Sequence, residues 1–311
     1  MTKENLIKYL KDPRELILGM DSFCCRRLGK RLIGDKFFIK LKFKSVMGYR
    51  INLKNPQTFN EKIRWMILYN RAPLHTKMAD KYLAREHIAE VLGREEAAKY
   101  LVPLLGVWDS FEEINFDALP DAFVLKCTHD SGSVVMCADK NTFDEQAAKE
   151  KLTQALATNA YLRYREWHMK DIRPRIVAEL FLGARMTDYK LFCFNGKVRF
   201  AQARFHGPDG VLVSNKYTVP GWDYMRMTFN QYPSDESADI PRPGGLAEMV
   251  EISETLARTM PFLRVDFYYM DGKVYLGELT LTPIAGFLKS EPDMMKEWGS
   301  WLTLPARTRA R

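Results

Sequence analysis

Two dipeptides constrain the fold of this chain more than any other feature. Asn195-Gly196 and Asp271-Gly272 each separate two strand-like runs, and both dipeptides favour the tight turn of a β-hairpin. The two hairpin segments are YKLFCFNGKVRFAQAR and FLRVDFYYMDGKVYLGELTLT. The stretch between them ends in LAEMVEISETLARTM, which we interpret as a helix. Long antiparallel hairpins mixed with helices predict an α+β protein.

The rest of the chain also mixes helices and strands. We predict a helix for TFNEKIRWMILYN, capped by Thr58 with Glu61 three residues later, and one for ADKYLAREHIAEVLG, which ends at Gly93. We also predict a helix from Glu145 to Asn159, and an irregular Gly/Pro-rich segment from His206 to about Gly245. The predicted strands are LVPLLGVW, FVLKC, SVVMC and RIVAELFL.

Composition restricts the class of protein. With 311 residues, of which 46% are hydrophobic and 12% aromatic, the chain can bury a core in one large domain or in two to three lobes. No window is apolar enough to span a bilayer, and the first residues lack the basic-then-apolar order of a secretion signal. The five cysteines have neither paired nor zinc-ligand spacing. These features predict a cytoplasmic protein with reduced thiols.

The net charge of +8 is unevenly distributed. The stretch from Arg26 to Lys54 contains ten Lys/Arg and one acid, Asp35, with Phe and Leu interleaved. Such a face can be solvated, or it can meet an anionic membrane leaflet or a polyanionic substrate. We find no recognisable nucleic-acid-binding signature, so a nucleic-acid partner is unexpected.

One lysine lies inside an apolar strand. In FVLKCTHDSGSVV, strand alternation puts Phe123, Leu125 and Cys127 on one face and Lys126 on the other. Burying an unpaired ammonium is costly, so Lys126 must either reach water from an edge strand or meet an anion. The polar loop HDSGS follows, and Gly132 in it permits the close backbone approach that a phosphate cover needs.

Carboxylates accompany the later strands. Glu179 ends one strand, Asp188 begins another, and Asp266 and Glu278 lie on the two arms of the last hairpin. The last two can share a metal only if they point to the same face. A two-residue turn alone would put them on opposite faces, so we predict a three-residue loop with Gly272 in a bulge, or a compensating bulge further along the strand.

The order of these motifs resembles that of the ATP-grasp ligases. The amino-acid sequences of the motifs most resemble those of the TupA-like family, named for teichuronopeptide synthesis. The matching segments cover roughly residues 55 to 305: ADKYLAREHI, YLVPLLGVWDSFEEI, LPDAFVLKCTHDSGSVV, RPRIVAELFL, DYKLFCFNGKVRF, PFLRVDFYYMDGKVYLGELTLTP and WLTLP. The resemblance implies an ATP-grasp fold, in which two α+β lobes enclose ATP and Mg²⁺, after a mainly helical N-terminal region.

The implied regions follow the chain in order. They are a helical basic region (1–75), a helix and strand leading into the core (76–120), a lid lobe with the phosphate loop (121–178), a C-terminal lobe with the metal hairpin (179–305) and a disordered tail (306–311).

The resemblance also implies nucleotide contacts. Lys126 and Lys81 resemble the two lysines that grip the ATP phosphates. Glu179 resembles the hinge residue at the adenine, next to backbone hydrogen bonds from Leu180 to Leu182, and Asp188 would reach the ribose. The mobile phosphate cover would comprise His129, Asp130, Ser131, Gly132 and Ser133.

The remaining implied residues concern catalysis. Lys190 and Arg204 resemble the cations that steady the transferred phosphate or the acceptor carboxylate, and Asp266 and Glu278 resemble the metal carboxylates. The chain departs from the common Glu-x-Asn pattern because Thr280 stands where the asparagine would be. A threonine hydroxyl is a neutral oxygen ligand of shorter reach, so either Thr280 or a water would fill that position.

The implied reaction activates a carboxylate as an acyl phosphate before an amine attacks it. The implied substrates are a small amine or amino acid and an anionic surface polysaccharide, or its lipid-linked precursor, carrying a uronate. The pocket for the acceptor would come from segments 161–170 and 206–245. His168, His206 and Trp222 are candidate pocket residues, with ordinary packing as the alternative, and no general base can be named.

Two other functions stay open from the sequence. A glycosyltransferase of polysaccharide biosynthesis would need a nucleotide-sugar site, but the common Asp-x-Asp metal signature is absent. A non-catalytic protein could bind membranes or glycans through the basic N-terminal face and keep a relict nucleotide site.

Overall fold

The computed structural model describes residues 13–183, 186–206, 210–227, 229, 232–238 and 240–308. Predictions for residues 1–12 and 309–311, and for parts of the segment 206–245, lie outside the described residues. The division of the chain into five regions stays a prediction.

The first part of the described chain is helical, as predicted. Its helices are α1 (Pro13–Leu28), α2 (Asp35–Met47), α3 (Phe59–Tyr69), α4 (Pro73–Ala79), α5 (Leu83–Leu92) and α6 (Arg94–Tyr100). The capping box of α3 is confirmed, because the Thr58 hydroxyl accepts from the Glu61 amide and the Glu61 carboxylate accepts from the Thr58 amide. Helix α5 ends at Gly93 as predicted, with φ 90°, and α6 follows at once.

Strands dominate after Tyr100. They are β1 (Leu104–Trp108), β2 (Phe123–Cys127), β3 (Val135–Cys137), β4 (Ile176–Leu180), β5 (Asp188–Phe194), β6 (Lys197–His206), β7 (Leu212–Thr218), β8 (Phe262–Met270) and β9 (Lys273–Thr280). The helices among them are α7 (Glu145–Leu156), α8 (Tyr161–Tyr164), α9 (Leu246–Ala257) and α10 (Pro292–Trp301).

The strands form two antiparallel sheets. One has four strands in the order β1-β4-β2-β3, and the other has five in the order β7-β6-β5-β8-β9. Both predicted hairpins are present, β5-β6 and β8-β9, and each lies in the five-stranded sheet.

The last hairpin has a two-residue turn and a bulge. Met270 pairs with Lys273, and Asp271 and Gly272 have φ of 51° and 76°, so the expected three-residue loop is wrong. The alternative, a compensating bulge, is confirmed because the register shifts beyond Phe267 and leaves Asp266 directly opposite Glu278. The two carboxylates therefore lie on one face of the sheet.

The segment 206–245 is not irregular throughout, because it contains the edge strand β7. The prediction missed this strand because buried polar residues interrupt its apolar pattern. Asn215 and Lys216 are fully buried there. Asn215 bonds the backbone of Asp235, and the Lys216 ammonium donates to the Ser214 carbonyl and the Ser234 hydroxyl. Tertiary hydrogen bonds thus replace the hydrophobic signal.

The described residues form three apolar cores. One joins α2, α3 and α10 to aromatic residues on one face of the five-stranded sheet, and it includes Phe59, Phe194 and Trp298. The second packs α9 on the opposite face of that sheet. The third packs α7 on the four-stranded sheet. Part of the first face of the five-stranded sheet is left without an apolar cover, and that part carries the candidate site.

The described end of the chain contacts α3, and the disordered tail over residues 306–311 stays a prediction. The Thr308 amide donates to the Tyr69 carbonyl at 2.8 Å, and the Arg307 guanidinium lies 4.4 Å from the centre of the Tyr69 ring. These contacts fix the described end of the chain on α3. In the described ranges, no helix combines the length and the apolar character needed to cross a bilayer.

Candidate active site

A cleft with a volume of about 2450 Å³ lies between the two sheets and the N-terminal helices. It brings together all but two of the predicted site residues: Lys81, Lys126, Asp130, Ser131, Gly132, Glu179, Leu180, Leu182, Asp188, Lys190, Arg204, Asp266, Glu278 and Thr280. The exceptions are His129 and Ser133.

The floor of the cleft is the five-stranded sheet, whose register lines up its charged residues. Lys190 pairs with Asp266, which pairs in turn with Glu278. Directly opposite residues in antiparallel strands share a face, so these three side chains form a row across β5, β8 and β9. A neighbouring row contains Arg204 opposite Asp188.

The charges on the floor are paired with one another. The Lys190 ammonium lies 2.6 Å from both Asp188 and Asp266, and Arg264 binds Asp266 through two bonds of 2.6 and 2.7 Å. Burial opposes ionisation of Asp266, but Arg264 and Lys190 outweigh it and keep the pKa of Asp266 below its ordinary value. Asp266 is therefore a carboxylate at neutral pH.

Asp188 differs from Asp266 in its environment. Burial raises the pKa of Asp188, against the attraction of Lys190 and Arg204. Its second oxygen, Oδ1, is buried and has no hydrogen-bond partner in the described part of the chain. A buried oxygen with this much unused capacity can accept a hydrogen bond from a ligand.

Arg264 is a site residue that the sequence analysis missed. It lines the cleft and lies directly opposite Thr280. The sequence could have indicated Arg264, because Arg264 and Asp266 are two positions apart on one strand and so share a face. A cation beside a carboxylate within an apolar strand is the same kind of signal as Lys126.

The four-stranded sheet forms the opposite wall. Phe123, Leu125 and Cys127 are fully buried in the core behind it, which confirms the predicted alternation and leaves Lys126 facing the cleft. The Lys126 ammonium meets an anion, since it lies 2.6 Å from the Glu179 carboxylate. Arg85 of α5, also absent from the predicted set, lies 3.5 Å from the other oxygen of the same carboxylate.

The loop after β2 is anchored at its ends and open at its tip. The His129 ring lies 3.1 Å from two carbonyls at the end of α7, and the Ser133 hydroxyl accepts from the Cys127 amide. These two buried residues hold the loop and are not among the residues that line the cleft, and their place in the phosphate cover stays a prediction. Ser131 and Gly132 are exposed at the tip, and the φ of 124° at Gly132 suits glycine.

Lys81 is bound to the same loop. Its ammonium donates to the carbonyl of Asp130, and the Asp130 side chain accepts from the Ser133 hydroxyl. Lys81 therefore lies beside the loop that the sequence analysis assigned to the phosphates.

The segment 161–170, which the sequence analysis assigned to the acceptor pocket, forms a third wall of the cleft and includes His168. Burial lowers the pKa of His168 to about 3, so its ring is neutral. The other two candidate pocket residues are outside the cleft. His206 is exposed on the surface, and Trp222 stacks on Tyr217 with 4.4 Å between ring centres.

The donor set on the floor fits Mg²⁺ carried by a phosphate ligand. Mg²⁺ is commonly held by one or two carboxylates together with phosphates and water. Asp266 and Glu278 provide two carboxylates on one face, and the Glu278 side chain is 40% exposed to the cleft. Among the described residues, no three acidic, histidine or cysteine side chains form a complete metal cage. The two carboxylates thus suit an ion that arrives with its own phosphate oxygens.

Comparison with solved structures finds ligases. A D-alanine–D-alanine ligase from Bacillus anthracis, complexed with ATP, is 18% identical, with a TM-score of 0.40 over 72% of this chain and 61% of that one. An L-amino acid ligase from Bacillus licheniformis is 14% identical, with a TM-score of 0.43 over 80% of this chain and 55% of that one. This chain thus spans less than two thirds of either structure. No curated protein matches it.

Comparison with sequence families gives a direct match. The family described as TupA-like ATPgrasp matches residues 61–302, which is most of the chain. The match includes both sheets and every residue that the sequence analysis assigned to the site. The chain belongs to the TupA-like ATP-grasp family and has its α+β fold, as the motifs predicted.

Proposed function

We propose that this protein is an ATP-dependent ligase that joins a carboxylate to an amine as an amide. The observation that carries the proposal is the row of Lys190, Asp266 and Glu278, which lines the same cleft as Lys126 in a member of the ATP-grasp family. Cations and metal-binding carboxylates on one rigid sheet are what a phosphoryl transfer requires.

The proposed reaction has two steps. A carboxylate oxygen attacks the terminal phosphorus of ATP, the bond to ADP breaks, and an acyl phosphate forms. The amine nitrogen then bonds to the acyl carbon, and inorganic phosphate leaves with the electron pair of the broken carbon–oxygen bond. The first step is needed because a carboxylate oxygen is a poor leaving group, so amines do not attack carboxylates at neutral pH.

The cations of the cleft fall into two groups. In this proposal Lys81 and Lys126 hold the ATP phosphates, with the tip of the loop after β2 closing over them. Lys190, Arg204 and Arg264 lie on the floor, where they would stabilise the charge on the transferred phosphoryl group. Their carboxylate partners keep them in position before ATP binds, so little reorganisation is needed.

The nucleotide base and the metal complete the assignment. Leu180 to Leu182, which follow Glu179 at the end of β4, would hydrogen-bond the adenine, and Asp188 would reach the ribose. Asp266 and Glu278 would hold Mg²⁺, with Thr280 or a water as a neutral oxygen donor. Bound there, Mg²⁺ neutralises charge on the phosphates.

The size and charge of the cleft support a large anionic substrate. Small-molecule pockets usually measure about 300–1,000 Å³, well below the volume of this cleft. Lys30, Arg31 and Lys42 line it at the side of the N-terminal helices. We therefore propose that the carboxylate is a uronate of a surface polysaccharide or its lipid-linked precursor, and that the amine is an amino acid or another small amine.

The N-terminal helices support a place at the inner face of the membrane. Leu28, Leu32 and Phe37 are each more than half exposed, and the lysines between and beside them are exposed as well. The three acids of α1 and α2 are withdrawn from the surface, since Glu15 is buried, Asp21 is buried against Arg165, and Asp35 is paired with Arg31 and Arg71. Apolar and basic groups without exposed acids suit an anionic lipid surface.

The test is Mg²⁺-dependent ADP release with the twenty amino acids and a panel of uronic-acid glycans supplied in combination. We expect ADP only when a carboxylate and an amine are both present, with an amide as product. The Glu278→Gln variant is the control, and we expect it to lose Mg²⁺-dependent turnover because it lacks the more exposed metal carboxylate. Full activity in that variant would remove Glu278 from the metal site.

Other results would support the alternatives. Transfer of sugar from a nucleotide donor would favour a glycosyltransferase. MgATP binding without ADP release under any pairing, including lipid-linked acceptors, would favour a binding protein with a relict site.

A further inference from the structure

Glu166 is a carboxylate in the cleft to which the proposed reaction assigns no function. It lies in the segment between α8 and β4 and lines the cleft, with a side chain that is 16% exposed. The Thr282 hydroxyl donates to its Oε1 at 2.5 Å. Its place is therefore fixed relative to the chain that leaves β9.

That chain connects Glu166 to the floor of the site. Leu279 and Leu281 point into the core on the far side of the sheet, so Glu278, Thr280 and Thr282 face the cleft in turn. Alternate residues along a strand are about 7 Å apart. Thr282 follows Thr280 by two residues, and Thr280 lies opposite Arg264, so the Thr282 hydrogen bond ties the Glu166 carboxylate to the end of this row.

The backbone on both sides of Glu166 is clamped. Arg165 is fully buried, has a left-handed φ of 60° and forms an ion pair with Asp21 of α1. The carbonyl of Tyr164 accepts from Arg64 of α3 at 2.8 Å. Buried contacts to two N-terminal helices therefore hold the carboxylate in the wall of the cleft.

Glu166 differs from its neighbours in its countercharge. Glu179, Asp188 and Asp266 each lie within 3.5 Å of a lysine or arginine. In the described ranges, the one ion-pair partner within 4.0 Å of Glu166 is the ring of His168.

The groups around Glu166 leave it without a close cation. His168 is neutral because burial lowers its pKa to about 3, and His75 behind it adds to the shift. Burial raises the pKa of Glu166, against the Thr282 hydrogen bond and the more distant charges of Arg64 and Arg163. In the part of the chain that the structure describes, this partly buried carboxylate therefore has no cationic partner of its own.

We infer that Glu166 binds the ammonium group of the amine substrate and accepts its proton, an inference that rests on the proposed ligase function. An amino acid is mostly an ammonium ion at neutral pH, and an ammonium nitrogen has no electron pair for attack. Beside Glu166, one N–H proton passes to the carboxylate and leaves a neutral amine. The amine nitrogen bonds to the acyl carbon, phosphate departs with the electron pair of the broken bond, and Glu166 returns the proton to solvent.

Hydroxylamine separates this function from the rest of catalysis. It is largely unprotonated at neutral pH, so it traps an acyl phosphate as a hydroxamate without help from a base. With the carboxylate that supports ADP release in the wild type, we expect Glu166→Gln to keep hydroxamate formation within about twofold. We expect its amide formation with the amino acid to fall by about a hundredfold, which is the usual size of a general-base contribution.

The pH dependence gives a second readout. We expect the residual amide formation of Glu166→Gln to rise about tenfold per pH unit, following the free-amine fraction, while the wild type responds less steeply. The matched variant Thr282→Val keeps the carboxylate but removes its hydrogen bond, and we expect a loss of less than about tenfold. Hydroxamate formation shows in both variants that the cleft is folded.

Three results would overturn the inference. Unchanged amide formation in Glu166→Gln would show that no proton acceptor is needed there. Equal losses with hydroxylamine and amino acid would place Glu166 at the ATP or carboxylate step. No hydroxamate from the wild type with any carboxylate would instead overturn the ligase proposal, and this inference with it.

Discussion

At the scale of single residues, ion pairs hold the cations and carboxylates of the cleft in place. Lys126 lies against Glu179, and Lys190 and Arg264 lie against Asp266. The carboxylate partner compensates the charge of each cation, whereas an unpaired buried charge would destabilise the fold.

We predict that Lys126→Ala weakens MgATP binding by about tenfold or more without unfolding the protein. A charge-assisted hydrogen bond contributes about 1.5–3 kcal/mol, and Glu179 keeps Arg85 as a partner when Lys126 is removed. Titration calorimetry with MgATP would measure the effect, with Lys149→Ala as a control on an exposed lysine of the same lobe. Equal affinities of the two variants would contradict the assigned function of Lys126.

We also predict that His168 makes stability depend on pH. The folded-state pKa of about 3 lies below the ordinary value of 6.5, so at lower pH the unfolded chain binds a proton that the folded protein excludes. This contribution is fully present above about pH 6.5 and is lost as pH falls towards 3, at up to about 1.4 kcal/mol per unit. Urea unfolding from pH 7 to 5 should give a flatter dependence for His168→Gln. If the free energy of unfolding depends on pH equally in the wild type and the variant, the predicted contribution of His168 is contradicted.

At the scale of elements, close backbone contacts fix the helices of the N-terminal region. Gly299 in α10 faces the turn that begins α3, and a Cβ there would lie 1.9 Å from the Gln57 carbonyl oxygen. Only a backbone shift could relieve that contact, since neither partner is a flexible side chain. The absence of a side chain at Gly299 therefore allows α10 to pack on α3.

We predict that Gly299→Ala lowers the free energy of unfolding by about 1–3 kcal/mol, the usual cost of overpacking. The adjacent Ser300→Ala is the control, because Ser300 is exposed in the same helix and should change stability by less than about 0.5 kcal/mol. Chemical denaturation measures both. A Gly299→Ala protein as stable as Ser300→Ala would show that the two helices separate easily.

Local signals account for most of the elements that the sequence predicted. Both hairpins follow from their Asn-Gly and Asp-Gly turns, and α3 follows from its capping box. Strand β7 was not predictable in this way, because Asn215 and Lys216 are each stabilised in part by a hydrogen bond to a residue about twenty positions away in the chain. The site shows the same division. The resemblance pointed to Lys126 and Asp266. It did not point to Arg264, which the register places opposite Thr280, or to Glu166, which accepts a hydrogen bond from Thr282.

At the scale of the whole molecule, the N-terminal helices form one side of the cleft and also carry a basic, partly apolar surface. Gly29, Lys30 and Arg31 line the cleft, while Leu28 and Leu32 beside them are exposed. A substrate held at a lipid surface would thus have a short path to the site.

We predict that the protein sediments with vesicles containing phosphatidylserine but not with phosphatidylcholine alone. Replacing Lys30, Lys36 and Lys40 by Gln should weaken binding by roughly a hundredfold, since each lysine near an anionic surface contributes about 1 kcal/mol. The matched control replaces three exposed lysines elsewhere, Lys149, Lys197 and Lys296. Equal binding of the two triple variants would contradict a membrane face on α1 and α2.

The buried pair of Asp21 and Arg165 has a consequence for how members of the family can exchange parts. The matched family region begins at residue 61, yet Arg165 inside it depends on an acid outside it. Losing one partner of such a pair costs about 3–5 kcal/mol. A chimera that joins this core to the leading helices of a relative must therefore carry an acid at the position of Asp21. The leading helices of this protein are therefore part of what stabilises its core, although they lie outside the matched region.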